Sequence, residues 1–454
     1  MVIERKHNQF LLDWKNQKNR KPLILRGARQ VGKTTLIKQF SENYTQFISL
    51  NLEKQQDAEY FNQYTDAKTL LNALLLERNM NSITTHETLL FIDEIQEVPK
   101  VIALLRYFYE EIPNLHVVAA GSLLEHSLSK VKSFPVGRVQ YLYIFPLNFP
   151  EFLSANGMSS LLERLDIIPI DKAAHNVAKD WFHRYALYGG MPEIVKTSLE
   201  EENIPLLPKI YQGIWSSYVD DVPKYAKNDT SQKVIKHIMQ TAPRYVDQRI
   251  TFQGFGGSNY KSREVGESFR ALDDAKVIQL IYPCTSVEYP IMEDFKKSPR
   301  MQFLDTGLLN HALGIHPQLL SITDLSTSYK GALLPHLITQ EFISVQEYKF
   351  KKPNFWVRQK QGAQSEVDLV YSFQGLIIPI EVKSGKIGKL RSLHQFIEKA
   401  PHPYAVRMYG GEFSIEEHKT PKGKNFVLMN LPYYLGTYLD EYLEYLINNF
   451  EKES

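Results

Sequence analysis

The sequence predicts a chain of several α/β domains, and three features carry that expectation. Its 454 residues suit about three domains at roughly 150 residues each, with ample material for buried cores. An apolar strand, a glycine loop and a helical pattern follow one another from Pro22 to Phe40, which is how a parallel α/β sheet opens. A strand, turn and strand pattern spans Glu366 to Lys383 and predicts a second sheet near the other end. The composition, 43% hydrophobic and 23% charged with 23 Gly and 23 Pro, excludes a disordered or collagenous chain.

The opening Met1 to His7 is charged within four residues and lacks a signal peptide's apolar core. No stretch approaches about 18 uninterrupted apolar residues, so the expectation is a cytoplasmic protein with no membrane partner. A single cysteine, Cys284, has no intramolecular disulfide partner, which fits a reducing compartment. Net charge is +2. From Lys349 to Arg407, however, eleven Lys or Arg stand against four carboxylates, a local +7. That stretch reads either as a solvated face or as a surface for a polyphosphate such as DNA.

At the front, Pro22 to Arg26 is a short apolar strand leading into Gly27-Ala-Arg-Gln-Val-Gly32-Lys33-Thr34 and then a helix from Thr35. This is the phosphate-loop pattern in the setting that gives it meaning. The glycines let backbone N–H groups turn toward phosphate oxygens, and the helix N-terminus adds positive potential. Lys33 is expected to neutralise the β- and γ-phosphates, and the Thr34 hydroxyl to hold Mg²⁺.

Leu89 to Glu94 is an apolar strand ending in two carboxylates, which a buried strand would not carry without a use. Asp93 is expected to bind Mg²⁺ through water, and Glu94 to activate the attacking water. His116 to Ser122 is a further apolar strand. Ser122 is expected beside Glu94 as a γ-phosphate sensor, a better reading than a hydrolase dyad with His126. Arg138 precedes a strand at Val139 to Ile144. Three readings stay open for it: an arginine finger reaching a neighbouring subunit in a homo-oligomer, a contact to its own subunit's nucleotide, or a structural ion pair. The guanine-specific Asn/Thr-Lys-x-Asp pattern is absent, so ATP is the expected nucleotide.

These motifs, with Phe145-Pro-Leu-Asn-Phe-Pro-Glu-Phe152 and the Pro135-Val-Gly-Arg138 run, together resemble the prokaryotic AAA+ ATP-binding proteins of the AAA_14/DUF4143 family. The resemblance implies an AAA+ P-loop ATPase core over 1–155 and a helical lid over 156–225. It further implies a winged-helix-like domain over 226–330 and a nuclease-like α/β domain over 331–454. In the lid, Tyr188-Gly-Gly-Met-Pro-Glu193 resembles the element that closes on the adenine side in STAND-like relatives, with Pro192 as the candidate. Pro192 reads equally as a helix-starting proline.

In the middle, Val234, Ile235, Ile238 and Met239, then Val265, Phe269 and Leu272, mark two helical faces before a strand at Lys276 to Tyr282. The candidate recognition helix, Arg263 to Asp274, has two Arg against four carboxylates. That net −2 favours packing or protein contact over DNA phosphates. Phe303-Leu-Asp-Thr-Gly-Leu-Leu309 reads as a strand end and a helix start capped by Asp305 or Thr306.

In the tail, folding the hairpin about Ser372 to Gly375 brings Asp368 toward Glu381, and Lys383 shares a strand face with Glu381. Glu341, on a helical stretch, is expected to close the cluster. Two carboxylates and a lysine so placed suit Mg²⁺ or Mn²⁺ and phosphodiester cleavage, and they resemble the PD-(D/E)xK restriction-endonuclease-like fold. Whether such a tail cuts DNA or only binds it stays open. So does an alternative class, a STAND-like nucleotide-dependent switch that acts through a partner. A helical face of Leu439, Tyr442, Leu443, Leu446, Ile447 and Phe450 is expected to pack on the core.

Overall fold

The computed structural model describes residues 3–122, 137–315, 331–348, 350–358, 365–383 and 390–451. Its first sheet comprises β1 (Leu23–Arg26), β2 (Gln46–Asn51), β3 (Thr88–Asp93), β4 (His116–Gly121) and β5 (Gln140–Tyr143). The strands run parallel in the order β2-β3-β4-β1-β5. β3 and β4 are buried at every position, as strands covered on both faces must be. Alternation divides β1 cleanly: Leu23 and Leu25 join the core beneath the helices His7–Lys15 and Lys33–Phe40. Ile24 joins the opposite core, under Ala67–Glu77 and Lys100–Glu111. Because β4 lies between β1 and β3, the C-terminal ends of all three meet at one edge, where α/β sheets bind ligands.

Five helices between Phe149 and Asp220 follow. Beyond them the helices Asp229–Thr241 and Ser262–Asp274 pack beside a two-stranded antiparallel ribbon, β6 (Ile278–Ile281) with β8 (Arg300–Phe303). Val265, Phe269 and Leu272 are buried, and Asp273 at the end of that helix accepts from Lys352 Nζ of the tail at 2.6 Å. The candidate recognition helix is therefore packed inward on its apolar face. Between the ribbon strands lies β7 (Pro283–Cys284), which pairs in parallel with β9 (Asn354–Val357). The middle segment thus donates an edge strand to the tail's sheet across the expected boundary at 330.

The tail's other strands are β10 (Glu366–Phe373), β11 (Leu376–Val382), β12 (Tyr404–Tyr409), β13 (Ser414–Lys419) and β14 (Asn425–Pro432). The seven strands are ordered β13-β14-β12-β11-β10-β9-β7. The hairpin turn is tighter than the four residues expected: Phe373 pairs with Leu376, leaving Gln374 and Gly375 with φ of 45° and 79°. Two residues at positive φ match the right-handed twist of the strands, so pairing runs to the turn. The helices Leu333–Ser344 and Leu439–Glu451 back this sheet. Tyr442, Leu443 and Leu446 are buried as expected of core packing. One apolar core runs through both sheets, from Phe10 and Leu25 to Met429 and Leu446. Among the described residues no helix is long and apolar enough to cross a membrane.

Candidate functional site

The loop after β1 is built around two glycines that tolerate no side chain. Gly27 has φ of 152°, and a Cβ there would lie 2.1 Å from the Ile144 carbonyl oxygen; Gly32 has φ of 94°. The helix Lys33–Phe40 begins directly after Gly32, so its first-turn amides have no intrahelical acceptors. Lys33, only 7% exposed, donates from Nζ to the carbonyls of Gly27 (3.0 Å) and Ala28 (2.7 Å). Thr34 Oγ1 donates to Asp93 Oδ2 at 2.7 Å. Burial raises the Asp93 carboxyl above its ordinary range, opposed by the Thr34 hydrogen bond. Glu94 sits at φ 51°, and its carboxylate accepts from Gln96 Nε2 at 2.5 Å. Ser122 follows β4 between the ends of β1 and β3; it is 4% exposed, and its Oγ has no hydrogen-bond partner among the described residues. A cavity of about 560 Å³ opens over this edge, with Thr34, Thr35, Glu94, Leu147 and Pro192 among its walls.

Arg138 lies elsewhere. Gln140 pairs with Leu23 at the start of β1, so Arg138 precedes the sheet's N-terminal edge, opposite the phosphate loop. There it ion-pairs with Glu110. The contact to its own subunit's nucleotide is therefore ruled out by the strand register.

Two arginines escaped the sequence reading. Arg5, 6% exposed, donates to the carbonyls of Val31 (3.1 Å) and Phe145 (2.7 Å) and to Glu151 Oε1 (3.0 Å). It thereby props the phosphate loop against the chain after β5. Arg29, within the loop, bridges Glu53 (2.8 Å) and Asp221 (2.9 Å), and Tyr218 donates to its carbonyl at 2.7 Å. The one available signal for Arg29 was an arginine inside a phosphate loop; Arg5 carried none.

The far wall explains three motifs at once. Pro192 starts the helix Pro192–Ser198, as a helix-starting proline should, and it also lies on the cavity wall beside Gly32. Gly189 has φ of 73°, and a Cβ there would lie 2.4 Å from Asp305 Oδ1; a Cβ on Gly190 would lie 2.0 Å from the Leu147 carbonyl oxygen. One on Gly307 would lie 2.1 Å from the Tyr188 carbonyl oxygen. Three backbones meet in one knot, which is why each motif needs its glycine. Asp305, fully buried, accepts from the amides of Gly190 (2.6 Å) and Leu308 (2.9 Å). Burial raises its carboxyl to about 6 against those bonds. Asp305 thus caps its own helix, as expected, and also ties that helix to the lid turn.

A family model described as an AAA domain, AAA_14, matches residues 19–153, and one for DUF4143, a domain of unknown function, matches 330–434. The chain thus carries an AAA domain near its start and a DUF4143 region near its other end. A third model, the domain of unknown function DUF8612, matches residues 179–319. The chain is 25% identical over 339 residues to an uncharacterized protein of Haemophilus influenzae, covering 69% of this chain and 74% of that one. Among solved structures it is similar to a Walker-type ATPase of Pyrococcus abyssi, with TM-score 0.44, 13% identity and coverage of 69% and 96%. It is also similar to a STAND ATPase with a tetratricopeptide repeat sensor from Pyrococcus horikoshii, with TM-score 0.29, 12% identity and coverage of 76% and 48%.

In the DUF4143 region, β10 and β11 bring Asp368 opposite Glu381, since Leu369 pairs with Ile380. Asp368 Oδ2 accepts from the Val382 amide at 2.9 Å, and Lys383 Nζ is 2.6 Å from Glu381 Oε1. Burial raises the Glu381 carboxyl, with Asp368 adding to it against Lys383. Glu341 does not join them. It is fully buried, with Oε2 accepting from the Phe149 amide (3.0 Å) and Oε1 from Tyr185 OH (2.7 Å). Both oxygens are spent on tying the helix Leu333–Ser344 to the AAA core at Phe149 and to the lid helix Lys172–Tyr188, which corrects the expectation that Glu341 closes a metal cluster. Among the described residues no three His, Cys, Asp or Glu side chains are grouped to hold a metal ion.

Three members of the cationic stretch turn inward. Lys352 is paired with Asp273, Arg407 is buried and donates to Asn430 at 2.7 Å, and Lys383 faces Glu381. These three side chains are engaged with partners inside the protein. Lys349, Lys360, Lys386 and Lys389 lie outside the described residues, as do Pro135 and His126.

Proposed function

We propose that this AAA-domain protein is a Mg²⁺-ATP hydrolase that works as a nucleotide-dependent switch, its lid carrying the state of the pocket to the DUF4143 half. One observation carries the reading: Pro192 walls the cavity beside Gly32, and the glycine turn before it is held by Asp305 at 2.6 Å. Lys33, on the cavity wall, neutralises the β- and γ-phosphates, exchanging the Gly27 and Ala28 carbonyls for phosphate oxygens. Gly27 and Gly32 let the loop curl around them. Thr34 and Asp93, hydrogen-bonded at the sheet edge, would hold Mg²⁺, which neutralises charge on the phosphates when bound. Glu94, oriented by Gln96, takes the proton of the attacking water. The buried Ser122 hydroxyl donates to the γ-phosphate.

Two variants measured for binding and turnover test this. Lys33→Ala should abolish ATP binding by calorimetry. Glu94→Gln should bind ATP normally while hydrolysis falls by about 100-fold or more. Unchanged affinity in the first, or unchanged turnover in the second, refutes the assignment.

A DNA-directed role for the tail is the second reading, favoured by Asp368, Glu381 and Lys383 meeting on one hairpin. Its nuclease form requires that Mg²⁺ or Mn²⁺ be held without Glu341. Linear, branched and single-stranded DNA should be cut with either metal by the wild type and not by Asp368→Ala, with ATP turnover equal in both. Binding with steep salt dependence and no cleavage would leave a DNA-binding module. Neither binding nor cleavage leaves the switch alone.

A further inference from the structure

The carboxylates of the tail hairpin already hold a cation, and it comes from the middle of the same chain. Arg300, in β8, is 8% exposed. Its Nε donates to Glu366 Oε1 at 2.8 Å, Nη2 bonds the same oxygen, and Nη1 donates to the main-chain oxygen of Asp368 at 3.1 Å. Nη2 also lies 3.8 Å from Asp368 Oδ1, and Nη1 lies 3.6 Å from Asp247 Oδ1. The guanidinium carbon stands 4.7 Å from the centre of the Phe355 ring. Asp247 accepts from Gln302 at 2.7 Å, and Arg249 approaches Glu366 Oε2 at 3.8 Å.

Four carboxylates, Asp247, Glu366, Asp368 and Glu381, therefore face three cations, Arg300, Lys383 and Arg249. Among the described residues, Glu381 Oε2 is the carboxylate oxygen of this patch that is buried without a hydrogen-bond partner. Mg²⁺ asks for near-octahedral oxygen ligands at short range. Here Glu366 Oε1 and Asp368 Oδ1 are turned toward a planar, permanently charged fork, the geometry that suits guanidinium and carboxylate. The residues do not fit a divalent metal while β8 lies where it does.

We propose that this patch is an ion-pair lock in which Arg300 occupies the position a divalent cation would take, fastening the middle ribbon to the DUF4143 sheet. β8 leads straight into Asp305, so the lock and the lid clamp sit five residues apart on one segment. The proposal bears on the second reading of the tail and is independent of the nucleotide site, so its failure would leave ATP hydrolysis untouched.

Nucleotide-free full-length wild type and Asp368→Asn are titrated with Mn²⁺ by electron paramagnetic resonance. In parallel, Arg300→Gln, Glu366→Gln and the double variant are unfolded in urea. The lock requires that wild type take up no Mn²⁺ that Asp368→Asn removes, and that the double variant lose less stability than the two single losses added together. A stoichiometric Mn²⁺ site abolished by Asp368→Asn overturns the proposal, and so do strictly additive losses. If Arg300→Gln does not fold, the Mn²⁺ comparison decides, since it needs only wild type and the Asp368 variant.

Discussion

Gly27 and Gly213 are the same residue type with opposite consequences. At Gly27 the φ of 152°, and the Ile144 carbonyl oxygen 2.1 Å from where a Cβ would stand, leave no room. Gly27→Ala should destabilise the chain by about 3 kcal/mol and disrupt nucleotide binding. Gly213 is exposed on the helix Leu207–Asp220, with nothing within 4 Å of a Cβ. Gly213→Ala should stabilise by about 0.5–1 kcal/mol, because alanine surrenders less backbone entropy in a helix. Urea unfolding of both variants checks the pair; equal effects of the same sign would contradict it. The phosphate-loop glycines were legible from their spacing alone. The demand on Gly189, Gly190 and Gly307 was not, because the atoms that forbid their side chains belong to segments distant in the chain.

The helix Leu333–Ser344 shows how an element's role depends on its neighbours. The sequence placed Glu341 on a helical stretch, and the helix is there. Glu341 nevertheless bonds Phe149 of the AAA core and Tyr185 of the lid, and burial raises its carboxyl from the ordinary 4.5 to about 7. With the folded value above the unfolded one, the native chain holds more protons between those two values, so this group's stabilising contribution is lost as pH rises through about 7. Stability of the wild type relative to Glu341→Gln should therefore fall between pH 5 and pH 7, by at most about 1.4 kcal/mol per pH unit. Thermal melts of both proteins across that range measure it. A difference that stays constant or grows with pH would show that Glu341 keeps its charge in the folded chain. The two sheets were recognisable from alternation and apolar runs. That β7 crosses into the tail's sheet was not, since a two-residue strand has no periodicity to read.

At the scale of the molecule, one continuous core and the knot at Asp305 join the nucleotide pocket to the tail, so a change of nucleotide should be felt beyond the AAA domain. Limited proteolysis and hydrodynamic size are to be compared with ADP and with a non-hydrolysable ATP analogue. Different cleavage patterns are expected; identical behaviour in both states removes the switch. The same experiment tests Arg138, whose ion pair with Glu110 leaves only the inter-subunit finger as a nucleotide contact. If an assembly forms with the ATP analogue, Arg138→Ala should lower turnover in the assembly without weakening ATP binding. Equal turnover assigns Arg138 to its ion pair.

Chemistry carried by contiguous residues was determined by the sequence alone: the phosphate loop with Lys33 and Thr34, the carboxylate pair Asp93 and Glu94 at a strand end, and the hairpin that sets Asp368 opposite Glu381. In each, bond geometry and side-chain alternation place the groups within a few residues, and the spacing is the structure. Tertiary structure decided which partner each buried charge would meet. Glu341 found Tyr185 across 156 positions, Asp305 found Gly190 across 115, and Arg300 found Glu366 across 66. A buried ionic group must be satisfied by whatever donor or acceptor the fold brings to it, and that choice is made by packing between distant segments, which no local pattern encodes.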